Sequence, residues 1–371
     1  MIKISASMPA SYRETSPDDL DQRIQRAKAT LGERLLILGH HYQMDEVMKF
    51  ADAAGDSFGL SRIAAERSDA DLVVFCGVHF MAESADILTG PHQRVILPDL
   101  AAGCSMADMA DIDQVEAAWS DLSQVVDTER VMPITYMNST AAIKAFVGRH
   151  GGAVCTSSNA RAVLEWAFAN DEAGRPRSDK VLFFPDQHLG RNTALTMGYE
   201  TSEMSLWDPA HRNGGLSERE MKESTFLLWK GHCSVHMRFT TEQIEEFRRT
   251  HENALVVVHP ECSQEVVGAA DASGSTDFII RYVEATPPGS SIGIGTEVHL
   301  VKRLADTYPD RTIVCLDSEV CPCITMSRID APHLAWVLEE AVEGRIRNQI
   351  TVEGETQAWA KVALERMLAI T

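Results

Sequence analysis

Short apolar runs of the kind that form strands buried on both faces recur along the chain, separated by stretches with a helical repeat. A first group lies at 35–38, 72–75 and 95–97, a second at 131–135, 153–155 and 181–184. The third comprises 255–258, the brief pair Val266 and Val267, 291–295 and 313–315. Between them, 60–65, 79–88, 140–146, 160–168, 241–249 and 298–307 carry apolar residues at helical spacing. Strand-helix alternation of this kind predicts an α/β protein with parallel sheets and helices on both faces. The grouping predicts an approximate threefold repeat of three-layer αβα lobes. We place their boundaries at 1–125, 126–240 and 241–371, with the helical pattern at 331–368 appended to the third.

Polar residues follow the apolar runs directly: Gly39-His40-His41-Tyr42, Gly77-Val78-His79, Pro98-Asp99, Tyr136-Met137-Asn138, Thr156-Ser157-Ser158-Asn159, Pro185-Asp186 and His259-Pro260-Glu261. Open α/β sheets bind ligands beyond the carboxyl ends of their strands, so these segments are the expected site. Ser57, Ser157 and the pair Ser275-Thr276 stand at loop-to-helix junctions. Helix N-termini there would offer backbone N–H groups to anions, with Ser57 itself a candidate cap.

Three cysteines sit in Gly- or Pro-containing turns: Gly103-Cys104-Ser105, Gly231-His232-Cys233 and Cys321-Pro322-Cys323. They are far apart in sequence, unlike the close pairs of a zinc finger. Three converging thiolates, one per lobe, would hold a metal centre with one position open. Cys76, Cys155 and Cys315 end apolar runs and read as buried, inert thiols. The 371 residues suffice for several cored lobes, and a net charge of -20 argues against nucleic acid or anionic membrane as partner. No signal-peptide pattern opens the sequence and no run is long enough to span a bilayer, so a cytoplasmic protein is expected. Gly293-Ile-Gly295 lacks the third glycine of a dinucleotide loop, and NAD is not an expected cofactor.

The ordered segments GHHYQMDEV, AAGDSFGLSRIAA, VVFCGVHFMAESADIL, LPDLAAGCSMAD, ITYMNSTAAIKA, VCTSSNA, FPDQHLGRNTA, WKGHCSVHMRF, VVHPEC, SGSTDFII, IGTEVHLVKRL and CPCITM resemble the quinolinate synthase family over nearly the whole chain. The resemblance implies three pseudo-symmetric αβα lobes around a central active site. It implies a 4Fe-4S cluster held by Cys104, Cys233 and Cys321, with one open iron as Lewis acid. It also implies condensation of iminoaspartate with dihydroxyacetone phosphate to quinolinate, phosphate and water, with functional coupling to L-aspartate oxidase. His40, Ser57, Tyr136, Asn138, Ser157, His259, Glu261, Ser275 and Thr276 are then expected to bind substrate, and Glu261, Tyr42, Tyr136 and Asn138 to act in catalysis. Burial beside a cluster is expected to raise the proton affinity of Glu261. The Cys321-Pro322-Cys323 segment departs from the family pattern by its second cysteine. His236, three residues after Cys233, is expected near the cluster. The competing readings are another iron-sulfur hydro-lyase, a zinc hydrolase using His40, His41 and His259, and a non-enzymatic iron-sulfur sensor.

Overall fold

A computed structural model describes residues 7–171, 173–317 and 322–370. The protein is α/β, with three mostly parallel sheets flanked by helices. The first sheet holds β1 (Leu35–His40), β2 (Ala53–Gly55), β3 (Leu72–Cys76) and β4 (Arg94–Ile96). The second holds β5 (Val131–Tyr136), β6 (Ala153–Cys155), β7 (Lys180–Phe184), β8 (Met204–Trp207) and β9 (Phe226–Trp229). In the third are β10 (Ala254–Val258), β11 (Ala272–Ser273), β12 (Ser291–Gly295) and β13 (Thr312–Cys315). A late strand, β14 (Gln349–Ile350), pairs antiparallel with β4 and makes the first sheet mixed.

The three sheets share one strand order. It runs β2-β1-β3-β4 in the first, β6-β5-β7-β9 in the second and β11-β10-β12-β13 in the third, with β14 and β8 added at edges. In each, the chain steps to one side after the first strand and then returns to the other. The first strand of every sheet therefore borders the place where the order reverses, which is where open α/β sheets leave room for a ligand.

Most of these strands form because apolar, often β-branched residues are buried on both faces: every residue of β1, β3, β5, β7 and β9 is buried. The helices that follow start where a polar side chain takes over the first free amides. Asp56, Thr140, Asp186, Ser263, Ser275 and Glu297 each accept a backbone N–H from the first turn of their helix. Ser57 is thus the first helical residue and Asp56 the cap, contrary to the expectation for Ser57. The Val266-Val267 pair lies in a helix, Gln264–Ala269, because Ser263 caps it and β11 supplies the edge strand instead.

By compactness the chain divides into two units, residues 1–104 with 321–352 and residues 105–320 with 353–371. The first contains the first sheet; the second contains the other two. The C-terminal helices divide accordingly. Ala331–Val342 packs on Pro17–Leu31, where Glu339 receives the Arg23 guanidinium at 2.6 Å and the Tyr12 hydroxyl at 2.6 Å. The final helix, Gly354–Ala369, packs on Ala141–Arg149 and β6. That last contact is close: a Cβ on Gly148 would lie 2.0 Å from the Trp359 carbonyl oxygen. Gly148→Ala should therefore push the two helices apart and cost about 1–3 kcal/mol, read as a lowered thermal unfolding midpoint with unchanged helix content.

Candidate active site

The densest chemistry lies in the second unit, at the ends of β5, β6, β10 and β12. His259 and Glu261 follow β10, Tyr136 ends β5, Ser157 follows β6 and Thr296 follows β12. His236 comes from the loop after β9. Its Nδ1 is 2.6 Å from Glu261 Oε2 and its Nε2 is 3.1 Å from Thr296 Oγ1. The His236 and His259 rings stack at 4.4 Å and 15°. His259 Nε2 reaches Ser157 Oγ at 3.2 Å, while its Nδ1 accepts the Glu261 N–H at 3.4 Å. The Tyr136 hydroxyl lies close enough to the Glu261 carboxylate to favour its charged form. Both imidazoles and the carboxylate are only 2 % exposed.

These contacts set the protons. Burial alone would push the Glu261 carboxyl up, but the two imidazoles and the Tyr136 hydroxyl hold it down at about 2. Burial, with His236 against its face, lowers His259 to about 3 despite the nearby carboxylate. His259 is therefore neutral. Since its Nδ1 accepts a backbone N–H, its proton is on Nε2, pointed at Ser157. Glu261 is ionised, so its close partner His236 carries a proton on Nδ1. The expectation of a carboxyl with raised proton affinity is reversed here: desolvation raises it, but the electrostatic pull of the adjacent imidazoles, aided by hydrogen bonds to the charged form, outweighs that burial.

The remaining expected residues can be placed one unit at a time. In the second unit, half-buried Asn138 stands two residues past Tyr136, and buried Ser275 and Thr276 open the helix Thr276–Ala285. Gly274 N–H bonds the Val258 carbonyl at 3.1 Å, tying that helix start to the end of β10. In the first unit, buried His40 ends β1. Its Nδ1 accepts the Tyr42 N–H at 3.2 Å, the same local turn as at His259 and Glu261, and the Tyr42 ring meets it edge-on at 4.8 Å. Ser57 is half-buried at its helix start, and His41 is half-buried beside His40.

The cysteine loops repeat in detail. Cys104 is followed by the 3-10 turn Ala107–Met109 and a helix capped by Asp111; Cys233 by His236–Arg238 and the cap Thr240; Cys323 by Met326–Arg328 and the cap Asp330. The spacing from cysteine to turn to cap is identical in all three. The Met237 N–H bonds the Cys233 carbonyl at 3.0 Å, as the Ser327 N–H bonds that of Cys323 at 2.9 Å. Cys321, the expected third ligand, lies outside the described residues.

Cys104, Cys233 and Cys323 are half-buried, which suits metal ligation. Cys76 and Cys155 are fully buried, and burial pushes both thiols up, Cys76 to about 12. Half-buried Cys315 is pushed up to about 11. One further group could hold an ion: Cys233 Sγ and ligand atoms of His236 and Glu261 lie within 4.8 Å of one another. The 2.6 Å contact between the last two is a hydrogen bond, so Glu261 is engaged with imidazole in this arrangement. Sequence reasoning gave His236 no definite role, named Asp186 only among the polar residues that follow the apolar runs, and left out Thr296. The signal for Asp186 was an acid directly after the apolar run 181–184.

Comparison with known proteins covers nearly the whole chain. The family model described as Quinolinate synthetase A protein matches residues 22–369. A quinolinate synthase of Nocardioides sp. is 56% identical over 363 residues, covering 98% of this chain and 92% of its own length. That of Corynebacterium glutamicum is 55% identical over 363 residues, covering 98% and 90%. That of Acidobacterium capsulatum is 56% identical over 362 residues, covering 97% and 95%. Matched from end to end, with its polar strand ends and cysteine loops inside the matched span, the chain belongs to the quinolinate synthase A family.

Proposed function

We propose that the protein condenses iminoaspartate with dihydroxyacetone phosphate, releasing phosphate and two waters as the pyridine ring of quinolinate closes. The observation that carries this reading is the buried Glu261 carboxylate, linked to Tyr136 and His236 in a family member matched over nearly its full length. Ring formation needs protons removed from carbon and nitrogen and delivered to departing oxygens. An ionised carboxylate flanked by a phenol and an imidazole can take a proton and pass it on.

Cys104, Cys233 and a third thiolate from Cys321-Pro322-Cys323 fit a 4Fe-4S cluster in donor type and accessibility, and the repeated loop geometry favours Cys323 as the third. When bound, such a cluster supplies an iron open to a substrate oxygen or nitrogen as Lewis acid. The chain's own residues would do the rest. Neutral His259 donates through Nε2 to a substrate carboxylate or carbonyl, Ser157, Ser275 and Thr276 supply hydroxyl and amide donors to anions, and Asn138 orients a carbonyl. His40, Tyr42 and Ser57 offer a matching set in the first unit. Burial of the Glu261 cluster excludes water, which would hydrolyse the labile imine. That lability is also the argument for coupling to L-aspartate oxidase as supplier.

No helix among the described residues is long and apolar enough to cross a membrane. We place the protein in the cytoplasm, where reduced thiols persist. The test is an anaerobic assay: protein reconstituted with iron and sulfide should be brown and form quinolinate from the two substrates. A cluster-loaded protein that forms none would refute the reading and leave a hydro-lyase or a sensor.

A further inference from the structure

One buried amide has no part in the chemistry above. Asn192 lies inside the helix Gln187–Thr196 and is 4 % exposed. Asparagine suits a helix interior poorly, and a buried amide is costly unless its polar atoms are bonded. Here both side-chain hydrogens are used: Nδ2 lies 2.8 Å from the Pro260 carbonyl oxygen and 2.9 Å from that of Cys262. Among the described residues Oδ1 has no partner. The reverse orientation would set that oxygen against two carbonyl oxygens, so it is the nitrogen that faces the loop. The position uses the amide for its two donors.

The two carbonyls stand on either side of Glu261. Residues 259–262 form a tight turn, closed by the Cys262 N–H on the His259 carbonyl at 3.0 Å, with Pro260 where its fixed φ suits the turn. His259 is itself tied to the end of β12, its N–H on the Gly295 carbonyl at 3.0 Å. The peptide that joins Pro260 to Glu261 is therefore held at both ends, its N–H by His259 Nδ1 at 3.4 Å and its carbonyl by Asn192 at 2.8 Å. The bond to Cys262 extends the hold past Glu261. The helix that carries Asn192 also packs on Gln264–Ala269, the helix that follows this turn, and all of these parts lie in the second unit.

We propose that Asn192 is a positioning residue for Glu261: its amide fixes the main chain on both sides of that residue, and with it the place of the carboxylate against His236. The inference rests on reading Glu261 as the acid-base group of the proposed reaction. Displacing a reacting group by about 1 Å can cost about 100-fold in rate.

The test replaces Asn192 by Ala. In the full-length, iron-free chain, hydrogen exchange at the Glu261 and Cys262 amides should speed by about tenfold, the worth of one hydrogen bond, while the amides of β10 keep their rates. The His236 Nδ1 lies 2.6 Å from Glu261 Oε2, so its proton should give a low-field resonance in a histidine-labelled wild-type chain. That resonance should move upfield in Asn192→Ala. In the reconstituted enzyme kcat should fall about 10- to 100-fold, with KM within about twofold of wild type and iron and sulfide content unchanged.

Wild-type exchange and an unmoved histidine resonance in a folded Asn192→Ala would overturn the proposal, as would a loss that falls on KM alone. If Asn192→Ala does not fold, the wild-type chain still answers. Both side-chain protons of Asn192 should exchange slowly there, and rapid exchange of the two contradicts the proposal. The iron-free measurements need no turnover. A Glu261→Gln enzyme with normal turnover, beside an Asn192→Ala chain whose turn is loosened, would sink the catalytic reading of Glu261 while leaving the hold of Asn192 on the turn supported.

Discussion

Glu261→Gln should leave a folded, brown protein whose turnover is about 100- to 10,000-fold lower, the range of a lost general acid-base group. The amide is nearly isosteric and can still bond His236 Nδ1, which lies 2.6 Å from the native carboxylate. What it cannot do is take a proton. In the resting protein that carboxylate is ionised, held at about 2 against its burial by His259, His236 and Tyr136. It therefore enters the cycle as a base and becomes an acid only after accepting a proton from substrate. Anaerobic kinetics with both substrates, beside iron and sulfide analysis of the same sample, give the answer. A colourless variant would make Glu261 a structural or ligating group, and a near-normal rate would move the base to Tyr42 or His259.

Single replacement of a ligating cysteine should have the larger effect on assembly. Cys104→Ser and Cys233→Ser should lose most of the iron and all synthesis, while Cys76→Ser and Cys155→Ser keep both, since those thiols are buried and held protonated. The informative pair is Cys321 and Cys323. Family resemblance assigns Cys321, whereas the turn and cap that follow Cys104 and Cys233 recur at the same distance only after Cys323. We expect Cys323→Ser to lose the cluster and Cys321→Ser to retain it. The opposite pattern in iron content would return the assignment to Cys321 and show that the third loop breaks the repeat at the metal.

The parts of this structure legible from sequence are those where one physical signal dominates. Runs such as 72–75 and 181–184 are apolar because both faces of β3 and β7 are buried, and the residues just beyond them are the strand-end polar groups. The edge strands β2 and β11 escaped notice, being two or three residues long, partly exposed and without an apolar pattern. Val266 and Val267 misled because β-branched residues favour strands, yet the Ser263 cap and the packing of that segment make it helical. The partnership of Glu261 with His236 was not legible, since they come from loops after different strands and neither spacing nor periodicity links them. The charge state of Glu261 depends on that partnership, so it was misjudged for the same reason.

The path of the chain has a bearing on how the protein is made. The edge strand β14 joins β4 only after some two hundred and fifty intervening residues, and the helix against β6 is the last element of all. During synthesis, the first two sheets must wait with an open edge or an uncovered face until residues 349–369 leave the ribosome. Such late, non-local closure slows folding and leaves sticky intermediates for chaperones to guard. A shortened C-terminus would be felt first in the early sheets, far from the cut in sequence, and expression yield would register it before any assay of chemistry.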